Sequence, residues 1–389
     1  MQRPGPLNCQ SPVRILLNRR GPRARGLISL SAALVLTFAP HTAFTQHPAP
    51  TVTQVSPGVW LFQTARYGDA GLDGNAVAVV GRDAVLVFDA NGTPAAAAAV
   101  IAEIRRITPK PVKHLVLSHW HWDHWYGAEA YTAAFPGIEV IAHSRAAKLM
   151  DGPVQEFNRP FFTEQFPSHL KGLEASFATV AGNPAADSAA RAISQHITAD
   201  KWFLDQKQNV RFVKPTRVYE DSLIIDLGGR SVHVVNHGRA ITPGDSHLWL
   251  PDARTVVAGD LLINPMTYGL FAYPSEWLAT LERMDARAAT TIIPGHGTPM
   301  TDGVRLRATI ALLRREIALV RGLKASGKTA KEAQAAVLAD AEVLALRDQL
   351  APATEPGRGA FALYLVEWIV PRIYQELDGT LDNAIPRAP

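Results

Sequence analysis

The chain of 389 residues is long enough for one large domain with an appendage or for two domains, and its 47% hydrophobic and 19% charged residues suit a sizeable core. Its net charge of +4 is concentrated at the start: Arg3, Arg14, Arg19, Arg20, Arg23 and Arg25 fall within residues 1–45, where no acid occurs, so the remainder carries −2. That balance excludes a basic nucleic-acid footprint from the rest of the chain.

The arginines precede "GLISLSAALVLTFA" (26–39), an apolar run too short to span a bilayer comfortably, and small residues follow in "HTAFTQ" (41–46). Together these segments read as a secretory signal peptide over residues 1–45, with an N-terminal membrane anchor as the alternative. Arg19-Arg20 hints at twin-arginine export. The expected location is periplasmic or secreted, and with no later segment of transmembrane length no stable membrane span survives leader removal. Cys9, the single cysteine, would leave with the leader, so the mature chain has no disulfide and no thiolate ligand.

From about residue 50 short strands are expected. "GVWLFQT" (58–64), "NAVAVVG" (75–81) and "DAVLVFDA" (83–90) carry β-branched and aromatic residues. "TPAAAAAVIAEIRRI" (93–107) predicts a helix with Thr93 as cap and Pro94 in its first turn. "VKHLVLS" (112–118) is the next strand. Residues 145 to about 207 are polar and alanine-rich with scattered aromatics, which predicts helices forming a lid. Strand signals return at 211–220, 222–229, 231–238, 246–252, 255–262 and 290–297, with a helix at 275–289. From about 303 to 389 the chain predicts helices, one capped by Thr329 and a last amphipathic one over "GAFALYLVEWIVPRIYQEL". No repeat of fixed period is present.

The chemistry concentrates in "SHWHWDHWYG" (118–127), directly after a strand. His119 and His121, two apart in extended backbone, share a face. Asp123 and His124 follow where a helix would begin and point across the same pocket. Imidazole nitrogens and carboxylate oxygens are what a divalent cation such as zinc requires. Three histidines and an aspartate within six positions, in a chain of 13 histidines, set metal binding ahead of a wet aromatic surface.

H-x-H-x-D-H after a strand resembles the metallo-β-lactamase superfamily, and the resemblance runs over about residues 52–300. It implies an α/β fold, a four-layer αββα sandwich over 50–300 with the helical insertion at about 145–207 and a helical C-terminal extension at 303–389. It further implies that His119 and His121 serve one metal and Asp123 and His124 a second. Asp260 in "VVAGDLL" would bridge the two, His296 in "PGHG" would complete the second site, and Asp89 would support the site from behind. One part departs from the pattern. The third histidine of the first site is replaced, in "NHGRAITPGD" (236–245), by Ile241, which cannot bind metal. His237 is the obvious substitute, although many relatives carry a histidine there that is not a ligand. Tyr126 stands where relatives commonly have glycine.

The resemblance implies metal-assisted hydrolysis of a small-molecule substrate with one or two Zn²⁺ ions, iron or manganese being alternatives. Zinc would lower the pKa of its water toward roughly 7, and Asp123, the expected catalytic residue, would orient that water and carry a proton with Asp260. Aspartate at 260, where some true β-lactamases have cysteine, points to a general hydrolase of esters, lactones, thioesters or amides, with β-lactamase activity as an alternative. Trp120, Trp122, Trp125, Tyr268, Phe271 and Tyr273 are candidates for an apolar pocket lining. Ile241 favours a further alternative, a periplasmic accessory or metal-binding protein with a degraded first site. An iron oxidoreductase is disfavoured, since mononuclear iron in the dioxygenase relatives needs the histidine missing here.

Overall fold

The computed structural model describes residues 47–64, 73–183 and 186–382. The expected leader and Cys9 lie outside the described residues. A seven-stranded sheet runs in chain order through β1 (Thr51–Ser56), β2 (Val59–Gln63), β3 (Ala76–Val80), β4 (Val85–Phe88), β5 (Val112–Val116), β6 (Glu139–His143) and β7 (Arg217–Tyr219). β1 to β4 form an antiparallel meander, and β4 to β7 are mutually parallel. The second sheet orders β12 (Thr291–Pro294), β11 (Thr255–Gly259), β10 (His247–Leu250), β9 (Ser231–Val235) and β8 (Ser222–Asp226), antiparallel except between β11 and β12.

Strand alternation explains how the sheets stack. Leu86 and Phe88 of β4 join Val77 and Val79 of β3 in a core shared with Val232, Val234, Leu248 and Val257 of the second sheet. Their neighbours Val85, Val87, Ala76 and Ala78 face the other way, toward the helix Pro94–Ile107 and the insertion. On the far side Val256 and Ala258 pack on the helices Pro274–Asp285 and Val304–Ala325. A side-chain period of two thus makes each sheet apolar on both faces, and each outer face is covered by helices. The result is the four-layer αββα sandwich with a helical C-terminal extension.

The insertion comprises helices Pro153–Pro160, Phe166–Val180 and Asp187–Gln208, the first two joined by a π-helical turn at Phe161–Gln165. The extension contains Val304–Ala325, Ala330–Ala339 with its Thr329 cap, Ala341–Leu350, Glu355–Phe361 and Ile369–Leu377, with a second π-helical stretch at Ala362–Glu367. Three expectations change. The strand expected over 211–220 shrinks to β7, because Arg217, Val218 and Tyr219 are in register with β6 and Thr216 adds only a hydrogen bond to Val140. The helix expected over 275–289 ends at Asp285. The single amphipathic helix expected at the C-terminus is broken by the π-helical stretch. Among the described residues no helix is long and apolar enough to cross a membrane.

Candidate metal centre

The centre lies at the carboxyl ends of β4, β5, β11 and β12, where parallel strands deliver chain to one edge of both sheets. β5 leads to His119 and His121, and a single helical turn, Trp122–Trp125, presents Asp123 and His124. β11 ends one residue before Asp260, and β12 ends two before His296. Gly295 locks these last two together: its N–H donates to the Gly259 carbonyl at 2.8 Å, and a β-carbon there would sit 2.1 Å from Asp260 Oδ1. Only glycine permits that approach.

All six candidate ligands converge. His296 Nε2 is 3.0 Å from Asp123 Oδ2, 3.5 Å from Asp260 Oδ1 and 3.2 Å from His124 Nε2. His124 Nε2 is 3.2 Å from Asp260 Oδ1 and 3.4 Å from Asp123 Oδ2. His119 Nε2 and His121 Nδ1 approach Asp260 Oδ2 at 3.6 and 3.9 Å. Two donor sets each fall within 4.8 Å: His119, His124 and Asp260, and Asp123, His124 and His296. His124 is within reach of both groups but has one free nitrogen, Nε2, to give, while Asp260 turns Oδ2 toward His119 and His121 and Oδ1 toward His124 and His296.

These residues fit a cation. His119 Nε2, His121 Nε2 and Asp260 Oδ1 are buried without a hydrogen-bond partner, each an orphan of the kind that costs roughly 1–3 kcal/mol. Oxygen and imidazole donors of this type suit zinc, iron or manganese. Burial opposes charge at Asp123 and Asp260, yet the imidazoles of His124 and His296 outweigh it and hold both carboxyls well below the usual range. The same pairing, against burial, raises His124 well above and His296 above the ordinary imidazole value. His119 goes the other way, lowered by burial and by His121 and His124.

Asp89 works from behind. It sits at φ 64°, a left-handed conformation that aspartate tolerates at modest cost. There its Oδ1 accepts from Ser118 N at 2.7 Å, its Oδ2 accepts from Ser118 Oγ at 2.8 Å, and that same Oδ2 lies 2.7 Å from His124 Nδ1. The last contact assigns the proton to Nδ1 and leaves Nε2 as the donor facing the centre.

Ile241 is fully buried in the core beneath the second sheet, among Ala240, Ala258, Leu261 and Leu262. His237 does not take its place at the centre. Its ring packs 5.1 Å from that of His247, and burial, with Arg283 and Arg287, brings its pKa down to about 4. Of the aromatic candidates, Trp120, Trp125 and Tyr273 are buried structural packing rather than pocket lining. Phe271 packs 5.5 Å from the His121 ring, and Tyr268 stands half-buried at 6.3 Å.

Sequence reasoning missed Lys207. Its buried ammonium reaches from the end of the insertion to the Gly92 carbonyl and sits 3.8 Å over Trp122 and 4.7 Å over Tyr126. Burial drives its pKa well below the usual range, against the pull of Asp73 and Asp123. Tyr126, unexplained in the sequence, accepts a hydrogen bond from Asn158 Nδ2 at 3.0 Å and packs on Phe162, so it also fastens the insertion to the metal loop. The one signal available was the aromatic pair Trp202-Phe203 shortly before Lys207, which marks an inward helix face.

Residues 69–296 match the sequence model of the metallo-beta-lactamase superfamily. The chain belongs to that superfamily. It is 22% identical over 228 residues to a linear primary-alkylsulfatase of Pseudomonas sp. (strain ATCC 19151), a match covering 57% of this chain and 41% of that protein. The chain thus spans less than half the length of the curated relative it matches. Among solved structures, the DIM-1 metallo-beta-lactamase exposed to ceftazidime superposes with a TM-score of 0.47 at 15% identity, covering 69% of this chain and 99% of the other. A metallo-beta-lactamase from Pontibacter korlensis gives 0.47 at 18% identity, with 68% and 99% covered. The superfamily member described here is, at that level, a hydrolase with His and Asp groups suited to divalent metal.

Proposed function

We propose that this superfamily hydrolase cleaves esters bearing an apolar group, sulfate esters first, then carboxylate esters, lactones, thioesters and amides. The observation that carries the reading is the convergence of the buried donors of His119, Asp123, His124, Asp260 and His296, beside half-buried aromatic rings. The alkylsulfatase relative supports placing sulfate esters first. Zinc is the proposed metal, and the arginine-rich start followed by a short apolar run supports reading residues 1–45 as a leader to a periplasmic or secreted location.

His119, His121 and Asp260 Oδ2 would hold one cation and Asp123, His124, His296 and Asp260 Oδ1 another. A bound divalent cation supplies Lewis acidity that polarises the ester and acidifies water. Asp123 is ionised at neutral pH, and its Oδ2 is placed to take a proton from the attacking water and return it to the leaving oxygen. Asp260 holds the two donor sets in register. Phe271, over His121, keeps bulk water from one side of the reacting bond.

The test is metal stoichiometry together with a panel of sulfate esters, carboxylate esters, lactones, thioesters and β-lactams. Turnover by the wild type, abolished in Asp123→Ala with the fold retained, supports the proposal; tight metal binding without turnover of any of them overturns it. Ile241, which cannot bind metal and is buried in the core, favours the second reading, an accessory metal-binding protein with a degraded first site.

A further inference from the structure

Two imidazoles outside the centre stand together with unpartnered nitrogens. His247 opens β10 and is wholly buried, yet neither of its ring nitrogens has a hydrogen-bond partner. His237, just past the end of β9, buries an Nε2 that is likewise unpartnered. Their rings lie 5.1 Å apart with the planes at 46°. Leu248, next along β10, packs in the core between the sheets, so alternation turns His247 to the outer face with Trp249. That face lies beneath the helix Pro274–Asp285.

The helix reaches the pair. Arg283 donates to the His237 carbonyl at 3.1 Å, and Glu276 accepts from Arg239 N at 3.0 Å. Thr280 stands between them on the same helix face, and its buried hydroxyl also lacks a partner. Unpartnered polar atoms from β9, β10 and this helix are thus brought to one corner.

The spacing of the rings is the one a shared ion imposes. A metal–nitrogen bond of about 2.0 Å puts each ring centre roughly 3.1 Å from the ion, and centres 5.1 Å apart then subtend about 110° at it, close to tetrahedral. His124 and His296, which share a donor set at the centre, stand at the same 5.1 Å. Burial brings the pKa of His247 down to about 3 and, with Arg283 and Arg287, that of His237 down to about 4, so each ring keeps a lone pair at neutral pH. His237 is only half-buried, which gives an ion a way in.

We propose that His237 and His247 form a further cation site, apart from the centre, that takes one d-block ion of the kind imidazole favours, copper or zinc. Both donors are neutral and two arginines stand near, which favours the single charge of cuprous copper, since desolvation cost rises with the square of the charge.

The full chain is saturated with zinc, dialysed and its metal counted by elemental analysis, then titrated under argon with cuprous ion buffered by bicinchoninate. The wild type should hold one ion per chain more than His237→Ala, as zinc before the titration or as copper after it, with the zinc of the centre equal in both. Losing a direct ligand should weaken the pair's hold by more than the 10–100-fold typical of an outer partner. His237→Cys should restore uptake, since a thiolate also ligates these metals. His247→Ala should behave as His237→Ala, with circular dichroism to verify the fold; where the enclosed position does not tolerate alanine, the half-buried His237 decides. Equal ion counts in wild type and His237→Ala overturn the proposal. So does copper that enters only as zinc leaves, to the same extent in both proteins, since it then lies at the centre.

Discussion

Replacing Asp89 by asparagine changes one atom and should cost the centre its metal. The buried carboxylate has three donors around it: Ser118 N and Ser118 Oγ, at 2.7 and 2.8 Å, and the protonated Nδ1 of His124 at 2.7 Å. An asparagine can offer only one acceptor oxygen, so its amide must face a donor. Facing the Ser118 amide would strand a backbone N–H that has no alternative state, at roughly 1–3 kcal/mol. Facing His124 is cheaper, because the imidazole can move its proton to Nε2 and accept at Nδ1. That switch removes the Nε2 lone pair that His124 would give to a cation. Loss of such an orienting partner typically weakens metal binding 10–100-fold, about 1.4–2.8 kcal/mol. Competition against a chromophoric zinc chelator measures it directly, with circular dichroism to verify the fold. Wild-type zinc affinity in a folded Asp89→Asn protein would refute the tautomer argument.

Three further outcomes are expected. Ile241→Ala should lower stability by about 2–4 kcal/mol in a denaturant titration and leave metal content unchanged, since the side chain is buried in the core; reduced metal with unchanged stability would contradict its placement. Gly295→Ala drives a methyl into Asp260 Oδ1, so zinc per chain by elemental analysis should fall below that of the wild type, whereas full occupancy would show that the carboxylate can step aside. The raised pKa values of His124 and His296 give a contribution to metal-free stability that is full below pH 6.5 and lost as pH rises through their folded values. A cation displaces those protons, so the melting-temperature gap between zinc-loaded and EDTA-treated protein should widen from pH 6.5 upward. A gap that narrows would count against the charge arrangement.

How far the sequence could be read followed the range of the interactions involved. The β-branched and aromatic residues of "AVAVV" and "VLVF" identified β3 and β4, since both faces of each strand are buried and every residue is apolar. "EVIAH", which forms β6, gave only five residues with a charge at one end and was overlooked. Residues 211–216 have strand composition but lie outside the pairing, which depends on β6 and not on their own propensity. The metal loop was legible because its residues are consecutive. Asp260, His296 and Asp89 came from resemblance, and the reach of His124 to both donor groups needed coordinates. Lys207 and Tyr126 were opaque for another reason: a cation over aromatic rings joins positions some eighty residues apart, and neither alone marks the contact.

That buried ammonium has a consequence for the insertion. With Lys207 held by the Gly92 carbonyl and seated over Trp122, swinging the insertion away would break that hydrogen bond and uncover the Trp122 face beside Asp123. Lys207, like Tyr126, thus ties the insertion to the turn that carries Asp123.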